Sequence, residues 1–537
     1  MHRFAAALTA GLAVLLSSPA AQTRPLGRVV FPNSCSARAQ SDFLRGVAWL
    51  HSFGYEEAID AFRAAQRIDP GCAMAYWGES LAFNQALWLV EEPEKARAAL
   101  ARLGPTPQAR MQKAATPRER GFLKAVEALW GAGDMPARAR AYAGAMASVA
   151  ADNPADDEAQ TFYALAILGT LPRGDASIPM RRQAGAIAEA IFARSPNHPG
   201  AAHYVIHAYD HGVLAAKALT AARAYAKIAP DASHALHMPA HTFVQLGLWD
   251  AAAATDEASW NASIAWASRR GLSVSMRDFH SLTWLHYEWT QQGRFAKAAG
   301  ALTLVDEAMT VVKPADLIGG HHEHDSEIGR GAGPMALRND RGAMRARSVI
   351  ESERWQEMKG QQTFDSIDEL FALGISSARL GDLARTDAAI DLMAKALAPG
   401  QEPGLREQAA VMQAELQALK AMAEKRPADA FAAMARATTL QSRMPKPIGR
   451  PFPVKGADEL YGEMLLQAGR AREAVTWFER TLARTPNRSR ALLGLARALA
   501  KTRDTARSRD VYRQFLSNWR VADPNLPELA EARAALR

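Results

Sequence analysis

The chain of 537 residues has few cysteines, few aromatic residues and no long hydrophobic run beyond its N-terminus. Two cysteines exclude a fold held by several disulfides and any zinc or iron–sulfur site with four cysteine ligands. Aromatic residues make up only 7% of the chain, and alanine is frequent, which favours closely packed helices over an all-β fold. Because no later segment has 18 consecutive apolar residues, the sequence predicts no transmembrane helix.

A dense run of basic residues is also missing. The net charge is +8, from 64 basic and 56 acidic residues, and the excess is spread along the chain. Nucleic acid is therefore not an expected partner. The phosphate-binding loop, the GxSxG elbow and the HExxH motif are all absent from the sequence. The sequence consequently assigns no catalytic residue and no organic cofactor.

The first 21 residues have the pattern of a secretory signal peptide. Arg3 precedes a mostly apolar stretch over 4–16, and small residues around Ala20 offer a cleavage site. The stretch is short for a bilayer span, although an uncleaved anchor remains an alternative. We expect a soluble exported protein, either periplasmic or secreted, with no membrane insertion after cleavage.

A repeat runs through most of the chain. Ala58 and Pro70 are separated by 12 residues, and the same offset recurs at Ala184/Pro196, Ala218/Pro230 and Ala474/Pro486. Successive copies are 34 residues apart at Ala184, Ala218 and Ala252. In the first copy, 41–70, five further residues fall at characteristic offsets: Gly46, Trp49, Tyr55, Phe62 and Ala65.

This pattern resembles the tetratricopeptide repeat, a helix–turn–helix unit of 34 residues. More specifically, the chain resembles secreted bacterial tetratricopeptide-repeat proteins, here with a histidine-rich groove. The resemblance implies an all-α helical-repeat solenoid. We predict an N-terminal array over 35–310, an irregular Gly/His-rich segment over 311–345 and a C-terminal array over 346–537.

Histidines cluster in one part of this array. Nine of the fourteen lie within 198–288: His198, His203, His207, His211, His234, His237, His241, His280 and His286. In the repeat frame, His203 is equivalent to His237, and His207 is equivalent to His241. The family resemblance implies that these positions line the concave groove.

The spacing of these histidines is typical of metal chelation. His203, His207 and His211 would share one helical face, as would His237 and His241. Histidines four residues apart can hold one transition metal, and imidazole suits zinc or copper. The sequence therefore offers a possible metal site at His203, His207, His237 and His241, either as one site with four imidazoles or as a two-metal site with carboxylate bridges. Secondary candidate ligands are Asp210, His211, His234 and His280.

Two functions remain open from the sequence. The first is an exported scaffold that binds a protein or peptide in the groove, with or without a bound metal. The second is a hydrolytic or oxidative metalloenzyme that uses the same histidines, with Asp210 or Glu288 as proton acceptor. Groove histidines that bind a peptide or small anion without metal, or that are purely structural, are the remaining alternatives.

The two cysteines are predicted to form a disulfide. Cys35 lies just before the first predicted helix and Cys72 just after the second, so an antiparallel helix pair brings them together. An oxidising compartment would allow the bond, whereas two free buried thiols are the alternative.

Overall fold

The computed structural model describes residues 25–172, 174–312, 334–397 and 403–537. The predicted signal peptide, 1–21, lies outside these residues. Within the described part, the chain forms 25 α-helices and one antiparallel ribbon of two short strands, β1 (Asn84–Gln85) and β2 (Val90–Glu91). The all-α class predicted from the sequence is confirmed.

The helices before residue 313 carry the histidine-rich region. In chain order they are α1 (Gln40–His51), α2 (Tyr55–Ile68), α3 (Ala73–Leu81), α4 (Pro93–Leu103), α5 (Pro107–Met111), α6 (Pro117–Leu129), α7 (Met135–Asp152), α8 (Asp157–Leu168), α9 (Ile178–Arg194), α10 (Pro199–Tyr209), α11 (Leu219–Ile228), α12 (Ser233–Gln245), α13 (Trp249–Arg269), α14 (Phe279–Gln291) and α15 (Phe295–Val311).

Ten further helices follow residue 333. They are α16 (Pro334–Ser352), α17 (Ile367–Arg379), α18 (Leu383–Ala396), α19 (Pro403–Ala423), α20 (Pro427–Arg443), α21 (Ala457–Gln467), α22 (Ala471–Arg484), α23 (Ser489–Lys501), α24 (Thr505–Asn518) and α25 (Pro527–Leu536).

These helices pack as antiparallel pairs of the tetratricopeptide-repeat type. Each pair is consecutive in the chain, such as α10 with α11, α12 with α13 and α23 with α24. The small residues of the repeat are explained by close helix contact. A Cβ atom on Gly46 would lie 2.7 Å from the Phe62 ring, and Ala58 is fully buried. The periodic pattern thus encodes the interface between the two helices of a pair.

The turn inside a pair requires a left-handed residue. Gly247 and Gly293 both have φ of +68°, which glycine adopts without a steric penalty. In the first copy, the glycine lies one residue later, and Phe53 takes the left-handed conformation instead, with φ of +56°. A bulky residue in this region is uncommon and marks local strain.

Helix α16 continues the packing of the N-terminal helices beyond residue 333. Helix α16 contacts both α14 and α15, and one apolar cluster includes Ala298 and Val305 with Leu337 and Met344. Most of the predicted irregular segment, 311–345, lies outside the described residues. Its C-terminal part, 334–345, is helical and belongs to α16.

A later contact joins the arrays a second time. The Trp249 indole N–H donates to the carbonyl oxygen of Asn487 at 2.8 Å, and the Asn487 amide donates to the carbonyl of Gly247 at 2.7 Å. The Ser489 hydroxyl donates to the carbonyl of Gln291 at 2.6 Å. The start of α23 therefore caps the turns of two N-terminal helix pairs.

The cysteines are joined as predicted. A disulfide links Cys35 to Cys72, whose Cα atoms are 4.5 Å apart at the shared end of α1 and α2. None of the helices in the described residues is both long enough and apolar enough to cross a bilayer.

Candidate metal centre

Three neighbouring first helices of repeat pairs carry six histidines of the candidate site. His203 and His207 lie on α10, and His280 lies on α14. Helix α12 contributes His234, His237 and His241. Helices α10 and α12 pack side by side, so their equivalent positions face a common space.

The first triad consists of His203, His207 and His234. One ring nitrogen from each lies within 4.8 Å of the other two. The Nε2 atoms of His203 and His234 are 3.1 Å apart. These three imidazoles can therefore ligate one metal ion after small adjustments of their rings.

The second triad consists of His237, His241 and His280, and it meets the same distance limit. The Nε2 atoms of His237 and His241 are 3.0 Å apart. On the opposite side of each ring, Nδ1 faces a carboxylate. The distances are 2.6 Å from His237 to Asp256 and 2.8 Å from His241 to Asp210.

This arrangement fixes where the ring lone pairs point. When Nδ1–H donates to a carboxylate, Nε2 is unprotonated, and two such nitrogens at 3.0 Å repel each other. A cation must relieve that repulsion. A proton can do so if it is carried by Asp256. The Asp256 hydroxyl then donates to Nδ1 of His237, the ring of His237 carries its own proton on Nε2, and this N–H donates to Nε2 of His241. A metal ion bound by both Nε2 atoms relieves the repulsion equally well, and it takes the place of that proton.

The first triad shows the same orientation at His203. Its Nδ1 lies 2.6 Å from the carbonyl oxygen of His51, which can only accept a hydrogen bond. Nε2 of His203 is therefore unprotonated and points towards His234. His207 Nε2 is buried without a hydrogen-bond partner among the described residues. Buried polar atoms without a partner are rare, and a ligand at this position would provide one.

Five histidines of the two triads have a lowered pKa and are therefore neutral near pH 7. Burial lowers the pKa of His203 and of His237 to about 3. Burial, together with neighbouring imidazoles, lowers the pKa of His207, His234 and His280 well below the ordinary value. Because neutral imidazole is the form that ligates a metal, both sets of rings are ready for binding.

A third cluster has suitable residue types but no free nitrogen. His51 Nε2 lies 2.7 Å and His198 Nε2 3.2 Å from separate oxygens of Glu158. The other nitrogen of His51 contacts the Tyr204 hydroxyl, and that of His198 accepts the backbone N–H of Ala201. Every ring nitrogen is thus engaged, so this buried network is structural. It also fixes the His51 carbonyl that orients His203.

Asp256 was missed by the sequence analysis. It lies on α13, the second helix of its pair, whereas the groove positions predicted from the sequence lie on the first helix of each pair. The usable signal was its spacing of four residues from buried Ala252, which places a carboxylate on an apolar face. Burial raises the pKa of Asp256 and of its neighbour Glu288 well above ordinary values. Part of the shift of each pKa comes from the other carboxyl group, so Glu288 interacts with Asp256.

The structure groups the predicted ligands differently from the simplest expectation. The four primary candidates do not form one cluster, because each pair gains a third histidine, His234 or His280, from the secondary candidates. Asp210 lies behind His241 and orients its ring. The prediction that His211 shares the helical face of His203 is wrong, because α10 ends at Tyr209. His211 follows in a turn, outside both triads.

A cavity of about 100 Å³ lies against both triads. His234, His237 and His280 line its floor. Its walls include the aromatic side chains of Trp49, Tyr55, Trp88 and Trp266. A tetrahedral ion held by the three histidines of a triad would keep one coordination position for an external ligand, and this cavity would give such a ligand access.

No known family model and no curated protein sequence matches the chain. Similar solved structures include the APC/C hetero-tetramer Cut9-Hcn1, with 11% identity and a TM-score of 0.31, over 94% of this chain and 77% of that one. The human IFIT1 dimer with m7Gppp-AAAA has 11% identity and a TM-score of 0.36, over 83% and 90% of the two chains. At these scores, the likeness carries no inference about ligand or activity.

Proposed function

We propose that this helical-repeat protein binds transition-metal ions in its groove, at two adjacent three-histidine sites. The observation that carries the proposal is the pair of Nε2 atoms of His237 and His241, 3.0 Å apart, with both Nδ1 atoms backed by carboxylates. Carboxylate-backed histidine is the usual outer shell of a protein metal site. The ions considered are zinc and copper, since imidazole suits both.

The bound metal gives the groove a means of recognising its partner. We propose a protein or peptide ligand that enters the aromatic-walled cavity and supplies a donor atom to the open metal position. Aromatic walls suit a binding surface because they offer a large contact area at a low cost in side-chain entropy. The absence of nucleic acid among the partners stays a prediction.

A second candidate is a metalloenzyme with hydrolytic or oxidative chemistry. The observation that favours it is that each triad has three histidines, since three protein ligands and one open position are typical of catalytic zinc sites. Asp210 lies at Nδ1 of His241, on the side away from the facing Nε2 atoms, and Glu288 interacts with Asp256 and not with a histidine of the triad. We therefore assign neither of them as the proton acceptor of such a reaction.

Export to an oxidising compartment is part of the proposal. The Cys35–Cys72 disulfide supports it, because such bonds persist mainly in the periplasm or outside the cell. The signal-peptide pattern of residues 1–21 supports it independently.

Metal analysis of the purified protein tests this function. We expect about two equivalents of metal in total, zinc and copper counted together, in protein prepared without a histidine tag and loaded with both metals. His207→Leu and His280→Leu should each remove about one equivalent, because each removes one ligand from a different triad. Among the described residues, Nε2 of His207 has no hydrogen-bond partner, and His280 is bonded only through its backbone carbonyl, to the Thr283 hydroxyl, so the two substitutions should disturb folding little.

The matched control is His286→Leu. His286 is fully buried on α14 with His280, but it donates to or accepts from Ser348 at 2.9 Å and belongs to neither triad. This variant should keep both equivalents. Full metal content in His207→Leu and His280→Leu, or no metal in the loaded native protein, would overturn the proposal.

A further inference from the structure

The two triads differ in the charge that surrounds them. Two aspartates contact rings of the second triad, Asp256 at His237 and Asp210 at His241. Asp278 also raises the pKa of His237, while Arg450 lowers it. Acidic groups therefore outnumber basic ones around the second triad.

The first triad has no such carboxylates. Among the described residues, no hydrogen bond joins an acidic side chain to its rings, and His203 is oriented by the neutral carbonyl of His51. The charged group that acts on His207 is Arg181, whose Nη1 donates to the carbonyl of His207 at 2.9 Å. This environment opposes positive charge.

Aromatic rings enclose the first triad. The Phe53 ring centroid lies 4.4 Å from that of His203, 5.5 Å from that of His207 and 5.3 Å from that of His234. Tyr225 stacks on His203 at 5.0 Å, and Trp88 meets His234 edge-on at 5.2 Å. The left-handed conformation of Phe53 is part of the turn that brings its ring to this position.

These surroundings select for the charge of the bound ion. The cost of burying an ion in an apolar site rises with the square of its charge, unless an opposite charge compensates it. A divalent ion in the first triad would meet three neutral rings and an aromatic wall. A monovalent ion costs about a quarter as much under the same relation. The carboxylates of the second triad offset the charge of a divalent ion.

We propose that the first triad, His203, His207 and His234, is a Cu(I) site, and that the second triad, His237, His241 and His280, is a site for a divalent ion. Cu(I) is the monovalent member of the metals that bind imidazole, and it accepts three ligands. This assignment rests on the proposed metal-binding function and adds which ion each triad selects.

Two titrations of the metal-free, full-length protein test the assignment. Co(II) is followed by its visible absorption, and Cu(I) by anaerobic competition with a chromogenic chelator. We expect one equivalent of Co(II), lost in His280→Leu and retained in His207→Leu. A Cu(I) equivalent should survive in His280→Leu, and its affinity should fall about 100-fold in His207→Leu.

Asp210→Asn provides a second readout that leaves all six histidines in place. It should weaken Co(II) binding by about 10- to 100-fold and leave the Cu(I) affinity of the first triad unchanged. Circular dichroism of each variant checks that it is folded.

The outcomes separate the two levels of the proposal. If neither ion binds the native protein, the metal-binding function itself fails. If Co(II) binds with two equal equivalents, or is lost in His207→Leu and kept in His280→Leu, metal binding stands and the assignment of ions is wrong. Equal loss of Cu(I) affinity in both histidine variants also overturns the assignment.

Discussion

At the scale of single residues, the hydrogen-bond partners of the two ring nitrogens distinguish the histidines of the proposed metal sites from the structural ones. In the second triad, Nδ1 of His237 and Nδ1 of His241 each lie against a carboxylate, and the two Nε2 atoms face each other at 3.0 Å. In the buried network of Glu158, both nitrogens of His51 and of His198 already have partners. Similar residue types thus have different roles, which depend on hydrogen bonding.

Glu158 should make a pH-dependent contribution to stability. Burial opposes its ionisation, but hydrogen bonds and charge from His51 and His198 lower its pKa to about 2. Its stabilising effect is therefore present above its ordinary pKa near 4.5 and is lost as the pH falls towards 2. Glu158→Gln should lower the free energy of unfolding at pH 7 by about 2–3 kcal/mol, and by less in acid.

Glu415 is the matched control, because it is equally buried but has the opposite shift. Burial raises its pKa well above the ordinary value, and neither of its oxygens has a hydrogen-bond partner among the described residues. The native protein therefore loses stability as pH rises above 4.5, and Glu415→Gln should be neutral or stabilising at pH 7. Urea unfolding at several pH values measures both variants. Equal losses in the two would contradict this account.

At the scale of helices and turns, the repeat could be predicted because it is local. The offsets of Ala58 and Pro70 follow from contacts within one helix pair, and the glycines of the turns follow from backbone conformation. The error at His211 is also local, since α10 ends two residues before it. To predict Asp256 from the sequence, one would need to know how α13 packs behind α12. The spacing of residues within the first helix of a pair does not give that information.

Gly247 tests the role of the turn in joining the arrays. An alanine there would adopt a φ of +68°, and its Cβ would lie 2.4 Å from the carbonyl oxygen of Pro486. Gly247→Ala should reduce the free energy of unfolding by about 2–4 kcal/mol, from backbone strain and from the clash.

Gly381→Ala isolates the backbone part of that effect. Gly381 has φ of +81°, but no atom lies within 4 Å of an added Cβ. Its substitution should cost about 1–2 kcal/mol. Thermal or urea unfolding gives the comparison. If the two glycine variants lose the same stability, the contact of Gly247 with Pro486 contributes nothing.

At the scale of the whole molecule, contacts between distant parts of the chain build the metal centre. The His51 carbonyl that orients His203 lies 152 residues away in sequence. Phe53 and Trp88, which enclose the first triad, belong to the first helix pair and to the ribbon region. The sequence predicted the histidine-rich helices and offered His234 and His280 as secondary ligands. It did not predict these aromatic walls, because no repeat spacing relates them to the histidines.

Arg488, at the start of α23, should be a main determinant of how α16, α21 and α23 pack together. It is buried, pairs with Glu459, and lies 2.8 Å from Glu351. Removing it leaves the buried Glu351 without its cation and Glu459 with Lys455 alone, so Arg488→Met should cost about 3–5 kcal/mol. Arg507→Met is the control, since its pair with Glu479 is half-exposed and contributes less than about 1 kcal/mol. Calorimetry measures both, and similar melting temperatures for the two variants would refute this role.

The most direct test of the account is anomalous X-ray diffraction from crystals of the metal-loaded protein, recorded at the absorption edge of the metal. The account predicts two anomalous peaks, one among His203, His207 and His234 and the other among His237, His241 and His280. It also predicts the second peak beside Nε2 of His237 and His241, opposite Asp256 and Asp210. Peaks confined to other residues, or fully loaded crystals with none in the groove, would contradict it.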